Sequence, residues 1–144
     1  MSMTNILAIV IVAVFVVLAL VHVYWALGGR FAWLAAIPEV GGRPTFTPSA
    51  ALTFLVAVAL LACAGLVAGT VGILAVPVSP GVLKWLAFAL ALLLLLRAVG
   101  DFRLVGFFKR VRGTSFARLD TLVYSPLCLA LSLGVFIVAS RHNA

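Results

Sequence analysis

The chain has 144 residues, of which 66% are hydrophobic and 9% charged, with a formal charge of +7. Soluble domains carry about a quarter charged residues, and no soluble fold of this length hides so much apolar surface. What remains is an integral membrane protein: a bilayer core of ~30 Å takes about 20 apolar residues per helix, so four spans and short loops use nearly all of residues 1–144 as a single domain.

The predicted architecture is all-α, a polytopic four-transmembrane-helix bundle. The first span covers residues 6–27, opening after Thr4 and Asn5 and stopping at Gly28-Gly29. A cleaved signal peptide is the rival reading. It is disfavoured because residues 1–5 hold no Lys or Arg and His22-Val23-Tyr24-Trp25 is no cleavage site.

Loop one follows. Residues 31–37 read as a short interfacial helix or lid, and Gly41-Gly42-Arg43-Pro44 as a turn. The second span covers residues 49–76, with Thr47 as cap and Pro48 at its first turn. Gly65, Gly69 and Gly72 fall on roughly one face, where small residues let a neighbouring helix approach.

The third span covers residues 82–99, and its Leu92 to Leu96 stretch suits lipid contact. Loop three, residues 100–118, interleaves cations with bulky apolar residues. That mixture suits a segment lying in the interface, with Arg103, Lys109, Arg110 and Arg112 meeting anionic headgroups. Its apolar share argues against nucleic acid as a partner. The fourth span covers residues 119–140, and Pro126 predicts a kink near its start.

Orientation follows from the cations. Arg30, Arg43, Arg97, Arg103, Lys109, Arg110, Arg112 and Arg118 share the side of loops one and three, against Lys84 and Arg141 on the other. The positive-inside rule then places loops one and three in the cytoplasm and both termini outside. The three acids, Glu39, Asp101 and Asp120, also fall on the inner side.

The chemistry gathers there. His22 precedes the end of span one by five residues, roughly 8 Å at ~1.5 Å per residue. Tyr124 and Ser125 lie at about the same depth. With Trp25, Arg97, Asp101 and Asp120 they are expected to form one polar layer. Intramembrane ionisable residues are costly and point to function, yet hydrogen bonds of His22 and Tyr124 to each other, or to a backbone carbonyl, that lock two helices account for the same residues. Asp120 shares a helix face with Tyr124 and has Arg97 or Arg103 as its predicted partner. Arg97 and Asp101 form a further candidate pair at i,i+4.

No metal, cofactor or catalytic set emerges. His22 and His142 fall on opposite sides, and no serine has a histidine and an acid at readable spacing. Cys63 and Cys128 differ in estimated depth by roughly 8 Å, beyond the usual reach of a disulfide.

Three stretches resemble a family of small bacterial four-helix membrane proteins catalogued only as a domain of unknown function. They are His22-x-x-Trp25-Ala26-x-Gly28-Gly29, then Arg97-x-x-Gly100-Asp101-x-Arg103-x-x-Gly106-Phe107-Phe108-Lys109, then Phe116-Ala117-x-x-Asp120-x-x-x-Tyr124-Ser125-Pro126-Leu127-Cys128. The resemblance implies a bundle in the bacterial inner membrane and carries over no activity. The chain is also similar to small multidrug transporters in size and span count, but its first span has His22 and no glutamate.

Two function classes follow. The favoured one is a non-enzymatic accessory subunit of a larger membrane complex, or a lipid-binding module. The other is a small enzyme or carrier acting on an amphipathic molecule at the cytoplasmic leaflet. A cavity opening at His22, Asp120 and Tyr124 would favour the second; solid packing there would favour the first.

Overall fold

The computed structural model describes residues 2–141, so His142 lies outside them. Four segments are long and apolar enough to cross a membrane: α1 (Met3–Ala26), α2 (Ala50–Thr70), α3 (Pro80–Val99) and the fourth span, Ser115–Arg141. The fourth span is compound, with α4 (Ser115–Leu119), a π turn (Asp120–Tyr124) and α5 (Ser125–Arg141). Only 22% of the most apolar stretch of α1 is covered by the rest of the protein. The remainder is a hydrocarbon surface that water would not tolerate and that a bilayer supplies with partners.

The caps explain where the helices begin and end. The Ser2 hydroxyl accepts from Asn5 N at 3.1 Å, so α1 starts three residues before its predicted first residue. Ser49 rather than Thr47 caps α2, accepting from Leu52 N at 3.2 Å. Thr114 caps α4 by accepting from Ala117 N at 3.0 Å, which starts the fourth span before residue 119. These hydroxyls satisfy N–H groups that the first helical turn leaves without partners.

The second span is shorter than residues 49–76 because Gly72 takes φ +73 just after α2. Gly72 is a chain-reversal residue, so it does not belong to a helix-packing face. Gly65 and Gly69 do lie in close packing, but against the returning chain: a Cβ on Gly69 would stand 3.0 Å from Val76 and 3.7 Å from Leu83, and one on Gly65 3.8 Å from Leu74.

The bundle is two helix pairs. α1 packs along α2, and α3 along α5, with α1 against α5 as the main seam between the pairs. The shared core includes Ala8, Ile11, Phe15, Val67, Ala87, Leu90, Val135 and Ala139. Gly134 permits the seam, since a Cβ there would come within 2.8 Å of Ile11. Ser132 Oγ donates to Ala91 O at 2.7 Å and ties α5 to α3. Leu92, Leu93, Leu95 and Leu96 face outward, as a lipid-contact stretch should.

Pro126 produces the π turn. It has no N–H, so Leu122 O loses its ordinary donor; the winding widens and Ser125 N bonds Asp120 O five residues back. Loop one holds a 3₁₀ turn (Leu34–Ala36) and a two-residue hairpin pairing Glu39 with Pro44 and Val40 with Arg43. Gly41 and Gly42 both have positive φ, as a tight hairpin turn demands.

Loop three folds back over the C-terminus of α3. Phe107 N and Phe108 N bond Ala98 O and Val99 O, the carbonyls that α3 leaves free. This requires backbone contact at Gly100 (φ +94) and Gly106 (φ +91): a Cβ on either would collide with the other strand of the loop. Gly106→Ala should therefore cost about 3 kcal/mol or more, combining collision with left-handed strain. Gly113→Ala, at φ +88 but in open space, should cost only about 1–2 kcal/mol. Thermal melting in detergent checks the order; equal losses would show that the Gly100–Gly106 contact is not tight in solution.

Candidate functional site

The polar residues form two sites rather than one layer. The first is an ion cluster around Asp120, which is fully buried on the π turn. Its Oδ1 accepts from Arg97 Nη2 at 2.8 Å. Its Oδ2 accepts from Lys109 Nζ at 2.9 Å and Gly106 N at 2.8 Å. Lys109 is 3% exposed, and Nζ also donates to Gly106 O and Thr121 Oγ1 at 2.9 and 2.6 Å. An ammonium has three N–H groups, and here each has an acceptor.

This corrects the reading of Lys109. It is not a headgroup contact; it turns inward because Asp120 and a carbonyl solvate its charge better than a lipid-facing position would. Arg103, Arg110 and Arg112 do stay exposed. Of the two predicted partners for Asp120, Arg97 is the one found. Arg97 and Asp101 do not pair. Asp101 instead accepts from Arg103 N, Leu104 N and Val105 N at 2.9, 2.7 and 2.9 Å and holds the loop-three turn. Slight desolvation raises its pKa, but these N–H groups outweigh it and hold the carboxyl below the usual carboxylate range. Ser125 Oγ and Arg97 Nη1 are buried with no hydrogen-bond partner in the protein.

The second site lies where α1, α2 and loop one meet. His22 Nδ1 bonds Leu18 O at 2.7 Å, and its ring meets Trp25 edge-on at 5.0 Å between centroids. Trp25 Nε1 donates to Phe31 O at 2.9 Å, and Phe31 N donates to the Tyr24 hydroxyl, so the last turn of α1 holds the start of loop one. Beside His22 is a cavity of about 260 Å³, with walls from Trp25, Trp33, Ile37, Phe46, Leu52 and Thr53. A recess of about 360 Å³ adjoins it through Trp25, Trp33, Pro48 and Thr53 and reaches Arg30 and the Gly28-Gly29 turn.

His22 shares no hydrogen bond with Asp120 or Tyr124. Of the two expected arrangements, a mutual bond or bonds to backbone carbonyls, the second is found: Nδ1 takes the carbonyl one turn back, while Tyr124 OH donates to Ala35 O at 3.1 Å. Tyr124 therefore ties the fourth span to the 3₁₀ turn that roofs the cavity, and its ring packs on Phe116 at 6.0 Å. Gly106, Trp33, Phe46 and Thr53 are the contributors that the sequence did not assign to a site, and Lys109 is one that it assigned to headgroups instead of to Asp120. Trp33 and Phe46 carried a faint signal, as aromatics in a long loop of low polarity. Among the described residues no group of His, Cys, Asp and Glu is placed to hold a metal ion, and both cysteines are free thiols.

Removing one member of a buried ion pair leaves an uncompensated charge, at a cost of about 3–5 kcal/mol. Asp120→Asn should lose that much, or fail to accumulate. Asp120→Asn with Lys109→Met should lose less than the two single losses combined, because the stranded ammonium is gone; detergent melting of the four proteins measures this coupling, and strict additivity would rule it out. Asp101 gives a pH signature. Its folded pKa lies below its unfolded value, so its contribution is present above the ordinary carboxylate range and is lost as pH falls through and below that range. Asp101→Asn should flatten the acid side of the melting profile, and an unchanged acid limb would remove this role.

The family model described as Protein of unknown function (DUF3995) matches residues 15–135, from the core of α1 to the middle of α5. No curated protein and no solved structure matches. The matched stretch contains His22 and its cavity, the Gly100–Gly106 turn and the Asp120 cluster, and by this match the chain belongs to the DUF3995 family.

Proposed function

We propose that this protein is a non-enzymatic membrane module that holds an amphipathic molecule in the His22 cavity, at the cytoplasmic face of a bacterial inner membrane. The observation that carries the reading is the cavity itself, about 260 Å³ with apolar and aromatic walls and a few polar atoms, widened by its recess. Binding sites for small molecules have this composition and occupy roughly 300–1,000 Å³. The acid and the phenol that proton transfer would need are engaged elsewhere: Asp120 by two cations and a backbone N–H, Tyr124 by Ala35 O. That favours binding over chemistry.

The cytoplasmic assignment rests on the eight-to-two distribution of Lys and Arg. Exposed Arg103, Arg110 and Arg112, flanked by the exposed rings of Phe102 and Phe108, suit the anionic headgroup region of that leaflet.

Two measurements test the proposal. Protein extracted into native lipid nanodiscs should carry a specific amphiphile by mass spectrometry, and Ala36→Phe, which fills the cavity, should lose it while melting as the parent does. Retention of the same molecule by Ala36→Phe would refute the site. For orientation, with Cys63 and Cys128 replaced by Ala, Gly113→Cys should react with an impermeant maleimide only from the cytoplasm and Ser2→Cys only from outside. The opposite pattern would invert the assignment.

A further inference from the structure

The polar atoms of the cavity are unequal, and their inequality defines a ligand. A carbonyl oxygen can only accept, so the 2.7 Å contact of His22 Nδ1 with Leu18 O puts the ring hydrogen on Nδ1. In the neutral imidazole Nε2 is then a bare acceptor, and among the described residues no protein donor reaches it. Thr53 Oγ1 spends its hydrogen on Ser49 O at 3.0 Å and keeps only lone pairs. The indole hydrogen of Trp25 goes to Phe31 O. Among the described side chains that line the cavity, Trp33 alone has an N–H with no acceptor. The polar side chains thus offer two acceptors and one donor, among rings that favour a flat aromatic partner.

We infer that the cavity takes a hydroxyaryl amphiphile, an aromatic alcohol with an alkyl tail, whose O–H donates to His22 Nε2 while its ring lies among Trp25, Trp33 and Phe46. This rests on the proposed binding role of the cavity and deepens it. A hydroxyl serves the site because it both donates and accepts, and so can meet His22 and Trp33 together. An ether or a ketone can satisfy only Trp33 and leaves Nε2 desolvated without a partner, an unfavourable outcome for a buried polar atom. The size agrees: about 260 Å³ suits one ring and a few carbons, not a two-chain phospholipid.

The test uses the full chain in phosphatidylcholine nanodiscs, with empty nanodiscs as the partition control. The probes are 4-nonylphenol and its methyl ether 4-nonylanisole, which share ring and tail and differ in the donor. Saturable quenching of tryptophan emission should show the phenol binding about tenfold more tightly than the ether, the worth of one hydrogen bond. In His22→Phe the ratio should fall to about one. A second readout needs no variant at position 22. In His142→Gln protein labelled with ¹⁵N-histidine, the phenol should move the Nε2 resonance of His22 and the ether should not. Equal binding of the two probes, a tenfold ratio that survives His22→Phe, or an unmoved Nε2 resonance would each overturn the hydroxyl assignment while leaving the cavity a binding site. Absence of saturable binding by either probe, or binding that Ala36→Phe does not weaken, would overturn the binding role itself.

Discussion

The carboxylate of Asp120 is the point on which the loop-one and loop-three end of the molecule depends. It is completely buried and has four neighbours that no other group replaces: Arg97 from α3, Lys109 and the Gly106 N–H from loop three, and its own π turn. A buried ion pair is not automatically stabilising, because two charges must leave water. Here the desolvation is offset by hydrogen bonds, with every N–H of the ammonium placed and both carboxylate oxygens engaged, while Arg97 Nη1 has no partner in the protein. The result is a fixed position for loop three. Without it, a segment containing Arg103, Arg110, Arg112 and several phenylalanines would be tied to α3 by its backbone bonds to Ala98 O and Val99 O and not by charge.

The π turn connects this cluster with the cavity. Ordinary α winding through residues 120–126 would leave Leu122 O facing a proline. The wider turn absorbs that defect, and Tyr124 at its far end donates to Ala35 O in the roof of the cavity. One local irregularity, forced by Pro126, therefore seats Asp120 at one end and holds loop one at the other. The Phe116 ring against Tyr124 supports the same position from the preceding turn. This explains in packing terms why Phe116, Asp120, Tyr124 and Pro126 stand together in one short stretch.

Much of this was legible in the sequence, and the failures have physical causes. The four spans follow from length and hydropathy, since nothing else can house such runs. Arg97 as partner of Asp120 was readable because a buried acid must find a cation nearby. Lys109 was misread because it stands between Phe108 and Arg110 in a basic loop, and composition cannot tell which cation of a cluster turns inward; the turn enforced by Gly100 and Gly106 decides that. The second span was drawn too long because Gly72 resembles Gly65 and Gly69 in spacing, whereas its positive φ ends the helix. The single polar layer was an artefact of depth. Equal distance from the helix ends places His22 and Tyr124 at one height but says nothing about azimuth, and the bundle is two pairs with His22 in the α1–α2 pair and Tyr124 in the other.

That pairing also separates rigidity from access. The α3–α5 pair carries the ion cluster, the Ser132–Ala91 bond and the folded-back loop, all of them internal bonds. The α1–α2 pair carries the cavity, where α1 and α2 are bridged by a long loop instead of by ions. A binding site needs walls that can admit a molecule from the lipid, and a membrane fold needs a part that does not yield when they do. Opening loop one breaks few bonds: the Tyr124–Ala35 contact, the Trp25–Phe31 and Tyr24–Phe31 contacts and the packing of Ile37. Opening loop three would take Lys109 and the Gly106 N–H away from Asp120 and leave its buried carboxylate with Arg97 alone. If the cavity binds as proposed, the energetic difference between those two events favours entry at loop one, with loop three as the better-tied frame.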